Sequence, residues 1–310
     1  MCEWFYISHA IPALTDPSSI PMPNLSLKGF RVILSAKSLT NWGSFFLLLL
    51  LYSCASQPYR SSNKQYRKQA HALAKSLEVQ PDRGIITDSI RQPDRWIGTV
   101  NFGLRKPNFV VIHHTAQQSC EKTLQTFTQS PRQVSAHYVI CADGTLHHML
   151  HDQLRAWHAG AGKWGQVTDV NSISIGIELD NDGIAPYREA QLQVLLTLLD
   201  TLKQRYRIPA ANFIGHADIA PGRKVDPGIN FSWERLAKKG FGIWYGDTLS
   251  LTVPESFDAR MALKIIGYDV HDLPATIQSF RLHFMASSRK GELLPEEKKI
   301  LYALQLKSLE

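Results

Sequence analysis

From Ser172 to Leu179 the chain alternates, with Ile173, Ile175, Ile177 and Leu179 on one face and Ser174, Gly176 and Glu178 on the other. A period of two commits this segment to a β-strand with one apolar face, and it turns the Glu178 carboxylate away from that face. Gly176 beside it leaves room for a ligand or another backbone to approach closely. The continuous apolar run Phe109-Val110-Val111-Ile112 predicts a second, buried strand that delivers His113 and His114 at its C-terminal edge. A short helix is expected over residues 121–129. Residues 137–141 and 146–150 then read as a hairpin around the Asp143-Gly144 turn. Leu192, Leu195, Leu196, Leu199, Leu202 and Tyr206 keep a helical period over 188–207, which Pro209 ends, and Asn212-Phe213-Ile214 is a last short strand with Gly215-His216 at its tip. This order predicts an α/β fold, a mixed central sheet flanked by helices, with the polar ends of its strands converging on one site.

The 310 residues, 44% hydrophobic and 20% charged, are enough to bury a large core and exclude a disordered chain. A net charge of +7 favours an anionic partner such as a lipid surface or an acidic polymer. The basic residues carry no nucleic-acid fingerprint, so nucleic acid is not expected as a partner. Residues 1–53 read as a signal region: Lys28, Arg31 and Lys37 precede the apolar run 45–51, which is too short to span a bilayer. Leu51-Tyr52-Ser53-Cys54 resembles a bacterial lipoprotein signal in which Cys54 is lipidated, although Tyr52 departs from the residue usual there. Ala55 after it resembles the outer-membrane-sorted class, which implies a lipid anchor on the periplasmic side of that membrane. Residues 1–21 fit no part of this plan, and Met22 is an alternative start. The polar stretch 54–94 is expected to be a tether, with a helix over 64–77, and ordered structure is expected from about Arg95. Two cysteines remain, Cys120 and Cys141, and their spacing leaves pairing open.

Among twelve histidines, any one taken singly is more often a satisfied polar residue than a ligand. His113, His216 and Asp226 are nevertheless of the types that give three metal ligands and leave a position open for water. His216 and Asp226 lie in a Gly- and Pro-rich segment that reads as an ordered loop. On spacing alone, Arg223-Lys224 is a plain surface pair.

Five segments in order, His113-His114-Thr115, Ser135-Ala136-His137-Tyr138, Arg155 to Gly160, Ser174 to Leu179 and Gly215 to Gly228, resemble the type 2 family of zinc-dependent N-acetylmuramoyl-L-alanine amidases. That family shares its fold with the peptidoglycan recognition proteins. The resemblance covers residues 95–245, the expected amidase domain, and with the lipid signal is most like the outer-membrane lipoprotein amidases. It implies one zinc per chain on His113, His216 and Asp226, with Glu178 and Lys224 as catalytic residues. Zinc polarises an amide carbonyl and lowers the pKa of water from 15.7 toward about 7; Glu178 would take the water proton, and Lys224 would stabilise the oxyanion. His114 is a neighbour of the site. Trp157, His158, Asn171 and His137 are implied to bind substrate, with core packing the other reading for Trp157 and burial behind the site for His137. His147, His148 and His151 cluster locally, but the family pattern gives them no role.

Residues 246–310 are expected to form three helices, over 260–266, 275–284 and 296–309, with Ile277, Phe280, Phe284, Leu301, Leu304 and Leu306 as their core. The pattern resembles the peptidoglycan-binding modules of wall hydrolases; a helical cap packed on the amidase is the alternative. The partners implied are peptidoglycan or muropeptides, with a monomer the expected state. A non-catalytic peptidoglycan-binding outer-membrane lipoprotein is the competing function. The presence of all three ligand types with Glu178 and Lys224 argues against it.

Overall fold

The alternating segment forms the middle of a five-stranded sheet in a computed structural model that describes residues 58–78 and 103–310. The strands are β1 (Phe109–His114), β2 (Tyr138–Ile140), β3 (Leu146–His148), β4 (Ser174–Leu179) and β5 (Phe213–Gly215), in the order β3-β2-β4-β1-β5. β1 runs parallel to β4 and β5, β2 runs parallel to β4, and β2 and β3 form the antiparallel hairpin. The expected mixed sheet is therefore present. The expected signal region, Cys54, Met22 and the proposed start near Arg95 lie outside the described residues.

Nine helices occur among the described residues: α1 (Arg60–Glu78), α2 (Cys120–Phe127), α3 (Val170–Ile173), α4 (Glu189–Tyr206), α5 (His216–Ile219), α6 (Trp233–Lys238), α7 (Ala259–Ile266), α8 (Leu273–Met285) and α9 (Pro295–Ser308). None is long and apolar enough to cross a membrane. Four local differences from the sequence expectation stand out. The strand begins at Ser174, because Ile173 closes the turn α3 and the first two residues of the alternation are helical. The segment after His216 opens with one helical turn in place of a loop, and α6 had no expected counterpart. The tether helix is longer than the expected 64–77, beginning at Arg60.

The sheet divides the molecule by parity. Val110, Ile112, Ile175, Ile177 and Leu179 face one way, into a core completed by Leu192, Leu195, Leu199, Leu202 and Tyr206 of α4. Those five α4 positions recur at three- and four-residue steps, one face of a helix, and each buried leucine contributes about 1.5–3 kcal/mol. α4 stops at Tyr206, with Arg207 in a left-handed conformation (φ 54°) two residues before Pro209. On the other sheet face Val111 and Ile214 pack with Ala159, Val170 and Ile219. β4 is buried on both faces, so its polar row looks into a second packed layer and not to solvent. The three C-terminal helices form a further cluster around Leu263, Phe280, Phe284, Leu301 and Leu304, which Trp164, Ile243 and Trp244 join. Leu306, expected in that core, is 41% exposed: α9 turns it outward.

Cys120 at the start of α2 and Cys141 beyond β2, 21 residues apart, are joined by a disulfide with their Cα atoms 5.3 Å apart. Closing a loop of that length removes unfolded-state entropy worth about 3 kcal/mol. The Cys120→Ser/Cys141→Ser double variant is therefore expected to lose about 3 kcal/mol of folding free energy in urea titrations; an unchanged midpoint would show that the bridge contributes nothing.

Candidate functional site

The parallel register sets Glu178 of β4 directly beside His113 of β1, and paired residues of neighbouring strands share a face. β5 delivers His216 next to them as the first residue of α5. A helix of one turn has little stability of its own, and here the Asp218 carboxylate accepts from the Gly215 N–H at 2.7 Å and closes its start. The chain then loops outward through Lys224 and returns to place Asp226, where the Ala217 N–H donates to the Asp226 carbonyl at 2.8 Å. Tyr187 donates from its hydroxyl to the Pro227 carbonyl at 2.5 Å and fixes the returning strand of the loop.

Three donor atoms converge as a result. His113 Nδ1 and His216 Nδ1 are 2.9 Å apart, and Asp226 Oδ2 lies 3.0 Å from the first and 2.9 Å from the second. All three residues are buried. Burial lowers the His113 pKa to about 4, with the His216 ring adding to the effect.

The hydrogen bonds behind the two rings decide what they offer at the front. His216 Nε2 faces the Ala159 carbonyl at 3.3 Å, which can only accept, so that nitrogen carries the proton and Nδ1 is a bare lone pair. His113 Nε2 meets His158 Nδ1 at 3.0 Å, and His158 Nε2 meets Ser174 Oγ at 3.1 Å. Ser174 donates its own proton to the Val170 carbonyl at 2.6 Å, so it accepts from His158. Burial and the neighbouring His113 keep His158 well below its normal pKa, and it is neutral. Its Nδ1 therefore accepts from His113 Nε2–H, which leaves His113 Nδ1 bare as well. Two imidazole lone pairs and a carboxylate with no proton to share are a set that a divalent cation satisfies. Tetrahedral ligands at about 2.0–2.1 Å from an ion sit about 3.3 Å apart, within a few tenths of the separations here.

Glu178 completes the site differently. It is 9% exposed, one carboxyl oxygen has no hydrogen-bond partner among the described residues, and burial, reinforced by Asp226, raises its pKa well above the ordinary value. Lys224 is exposed, and its charge partly counters that rise while lowering the His113 pKa, so it stands within electrostatic reach of both. A desolvated carboxyl next to three convergent donors and a lysine can take up and hand on a proton.

The other expected site residues divide. Trp157 is 51% exposed and free of core packing. His158, Asn171 and His137 are buried. The His158 ring fills the space above Gly176, where a Cβ would overlap it, so the room left by that glycine belongs to a side chain of the same chain. Asn171 accepts from the His158 and Ala159 N–H groups at 3.0 and 2.9 Å and holds their loop. His137 accepts from the Gly176 N–H at 3.0 Å and its Nε2 meets the Leu154 carbonyl at the same distance. His114 lies beside the site, its Nδ1 on the Pro227 carbonyl at 3.1 Å. His148 stacks on Tyr138 and pairs with buried Asp152. His147 approaches Cys120 and Cys141, but both sulfurs are consumed in the disulfide.

Three supporting residues had no reading from the sequence. Ser174 was visible as a member of the polar row but had no assigned partner. Arg105 donates to the carbonyls of Asp152, Leu154 and Ser172 and thereby fastens the segment leading to Trp157; nothing in its neighbourhood signals that role. Asp218 accepts from Tyr268 Oη at 2.7 Å and pairs with His283 Nδ1 at 2.7 Å, contacts too distant in sequence to be anticipated.

Fold and site together define a class, a hydrolytic enzyme that works at the carboxyl ends of its strands. Residues 103–229 match the family described as N-acetylmuramoyl-L-alanine amidase. The N-acetylmuramoyl-L-alanine amidase AmiD of Escherichia coli K12 is 34% identical over 226 residues, which cover 63% of this chain and 81% of the relative. A structure of Escherichia coli AmiD with the substrate anhydro-N-acetylmuramic acid-L-Ala-D-γ-Glu-L-Lys superposes with a TM-score of 0.59 at 32% identity, over 71% of this chain and 94% of that one. AmpDh3 of Pseudomonas aeruginosa with anhydromuramic pentapeptide gives a TM-score of 0.59 at 29% identity, over 70% and 98%. The chain belongs to the type 2 N-acetylmuramoyl-L-alanine amidase family and is an enzyme of that family.

Two outcomes follow from the site geometry. His158→Ala should weaken divalent-metal binding by about 10–100-fold in chelator competition, because His113 loses the acceptor that fixes its ring; an unchanged affinity would refute the tautomer argument. In metal-free protein, Glu178→Gln should stabilise the fold at pH 8 and lose that advantage as pH falls to about 4. The folded-state pKa of Glu178 is raised, so above its unfolded value of about 4.3 folding the parent carries a cost that grows with pH. Equal urea midpoints for the two proteins at both pH values would contradict it.

Proposed function

We propose that the chain hydrolyses the amide bond between N-acetylmuramic acid, the 1,6-anhydro form included, and the L-alanine of peptidoglycan stem peptides, with one zinc ion held by His113, His216 and Asp226. The observation that carries this reading is the buried Glu178 carboxyl in register with His113, beside three convergent donors. The muropeptide ligands of the AmiD and AmpDh3 structures support the choice of bond.

Zinc, when bound, would polarise the scissile carbonyl and make water a competent nucleophile near neutral pH. Glu178 is the proton carrier: its raised proton affinity suits it to accept a proton from the attacking water and pass it to the departing alanine nitrogen. A carbon–oxygen bond forms and the carbon–nitrogen bond breaks, giving a lactyl carboxylate and a peptide with a free amine. Lys224 supplies positive charge to the carbonyl oxygen as it becomes an oxyanion, charge that is present only in the transition state. Trp157, exposed next to His158, is the candidate surface for the sugar-peptide chain.

The same reading includes a lipid on Cys54, attachment to the periplasmic side of the outer membrane, and contact of residues 246–310 with peptidoglycan. The support for the anchor is the order of basic residues, apolar run and cysteine before residue 55, and for the wall contact it is the resemblance of the helical pattern of 246–310 to peptidoglycan-binding modules.

Incubating the zinc-loaded chain with 1,6-anhydro-muramyl tripeptide should release a free L-alanyl peptide, detected by mass spectrometry. Glu178→Ala should keep the metal and lose turnover, and Lys224→Ala should lower kcat by about 10²–10³-fold, the usual cost of removing an oxyanion donor. Full turnover without Glu178, or no peptide release by the metal-loaded parent, would refute the assignment.

A further inference from the structure

α1 segregates its side chains more sharply than a tether requires. Tyr66, Ala70, Leu73 and Leu77 follow the i, i+4, i+7, i+11 spacing of a single helix face. Arg60, Lys64, Arg67 and Lys75 follow a second stripe with similar steps, and Lys68 adjoins it, about 150° round the helix from the first at 3.6 residues per turn. With five basic residues and one acidic residue, α1 carries +4 of the chain's net +7 in 19 residues.

Along the apolar stripe Tyr66, Leu73 and Leu77 are 36%, 56% and 78% exposed, and Ala70 is half-buried. Helices in proteins owe most of their stability to packing such a face against something. The stripe is too narrow and too poor in aliphatic residues to insert deeply, and the cationic side selects an anionic surface. This combination, a basic face set apart from a thin apolar one on a helix that is polar on the whole, is the kind that lies in the plane of a membrane interface.

We propose that α1 is an interfacial helix that lies along an anionic phospholipid surface, with Tyr66, Leu73 and Leu77 turned into the headgroup layer and Arg60, Lys64, Arg67, Lys68 and Lys75 paired with lipid phosphates. A second copy of the chain is disfavoured as the partner, because two such helices bring like charges together. The surface acts apart from any lipid on Cys54 and from amide hydrolysis. The six residue steps from Cys54 to Arg60 reach at most about 20 Å, so a lipid there would hold the helix at the bilayer. Laid flat, α1 would cover about 28 Å of membrane.

The test removes the acyl chain from the question. The full chain carrying Cys54→Ser, and in parallel the same protein from Ala55 onward, is sedimented with phosphatidylcholine vesicles, either pure or with one phosphatidylglycerol in every three lipids. Binding is expected to the anionic vesicles above the neutral baseline, and to weaken as salt is raised. Replacing Arg60, Lys64, Arg67, Lys68 and Lys75 by Gln should reduce it at least a hundredfold, at about fivefold per cation. The charge-preserving set Lys64→Arg, Lys68→Arg and Lys75→Arg should bind like the parent, and circular dichroism reports whether each variant keeps its helix. Tyr66→Trp should give fluorescence that shifts to the blue on anionic vesicles. Equal affinity for neutral vesicles, unchanged binding by the Gln variant, or emission from the Tyr66→Trp protein that does not move would overturn the proposal. Binding to peptidoglycan sacculi with none to vesicles would overturn it in favour of the wall.

Discussion

The register between β1 and β4 is the constraint on which the site depends. Parallel pairing sets His113 against Glu178 and Val110 against Ile175, so one arrangement sends the aliphatic row into the α4 core and the polar row toward the three convergent donors. A slip of one residue would exchange the two faces, burying Glu178 among leucines and turning the aliphatic row onto the site. The large apolar area under α4 therefore does more than stabilise the sheet. It locks the position of a carboxylate whose own environment works against it, since Glu178 is buried with one oxygen that finds no partner among the described residues.

That unfavourable burial is matched by the order imposed around it. Neutral imidazoles are the only form of His113 and His158 consistent with their surroundings, and each proton in the row from His113 through His158 to Ser174 has a single acceptor. The row ends on the Val170 carbonyl, at the turn that interrupts the alternation of the sequence. The same break that shortens β4 at Ile173 thus supplies the terminal acceptor of the chain of hydrogen bonds behind His113. Gly176 belongs to the same arrangement, because any larger residue there would displace the His158 ring.

Legibility in the sequence followed the range of the interactions. The buried run before His113, the alternation that exposes Glu178 to one side and the helical period of α4 are local patterns, and each reads correctly from neighbours a few residues apart. The ligand set needed the order of five distant segments, because no spacing within one segment distinguishes a ligand histidine from a packed one. The family resemblance implies substrate binding for Trp157 and His158 alike; only the three-dimensional structure shows that Trp157 turns out while His158 turns in. The Cys120–Cys141 bridge was open for a similar reason, as two positions 21 residues apart carry no geometry until α2 and β2 are placed.

The C-terminal helices show how far such long-range dependence extends. α5 has a single turn, too short to hold its shape unaided, yet its first residue must keep Nδ1 within a few tenths of an ångström of the other donors. Asp218, two residues on, receives the Gly215 N–H from within the turn and Tyr268 Oη and His283 Nδ1 from the C-terminal segment. His283 is stacked on Trp233 with ring centroids 4.0 Å apart, and Trp233 packs against the position where Gly215 would carry a Cβ. Charge-assisted hydrogen bonds in a dry environment are directional and costly to distort. The α5 turn is therefore held from outside the sheet by groups 50 and 65 residues away in sequence from Asp218. A segment whose composition suggested an appended module is, in this respect, part of the structure that sets the geometry of His216.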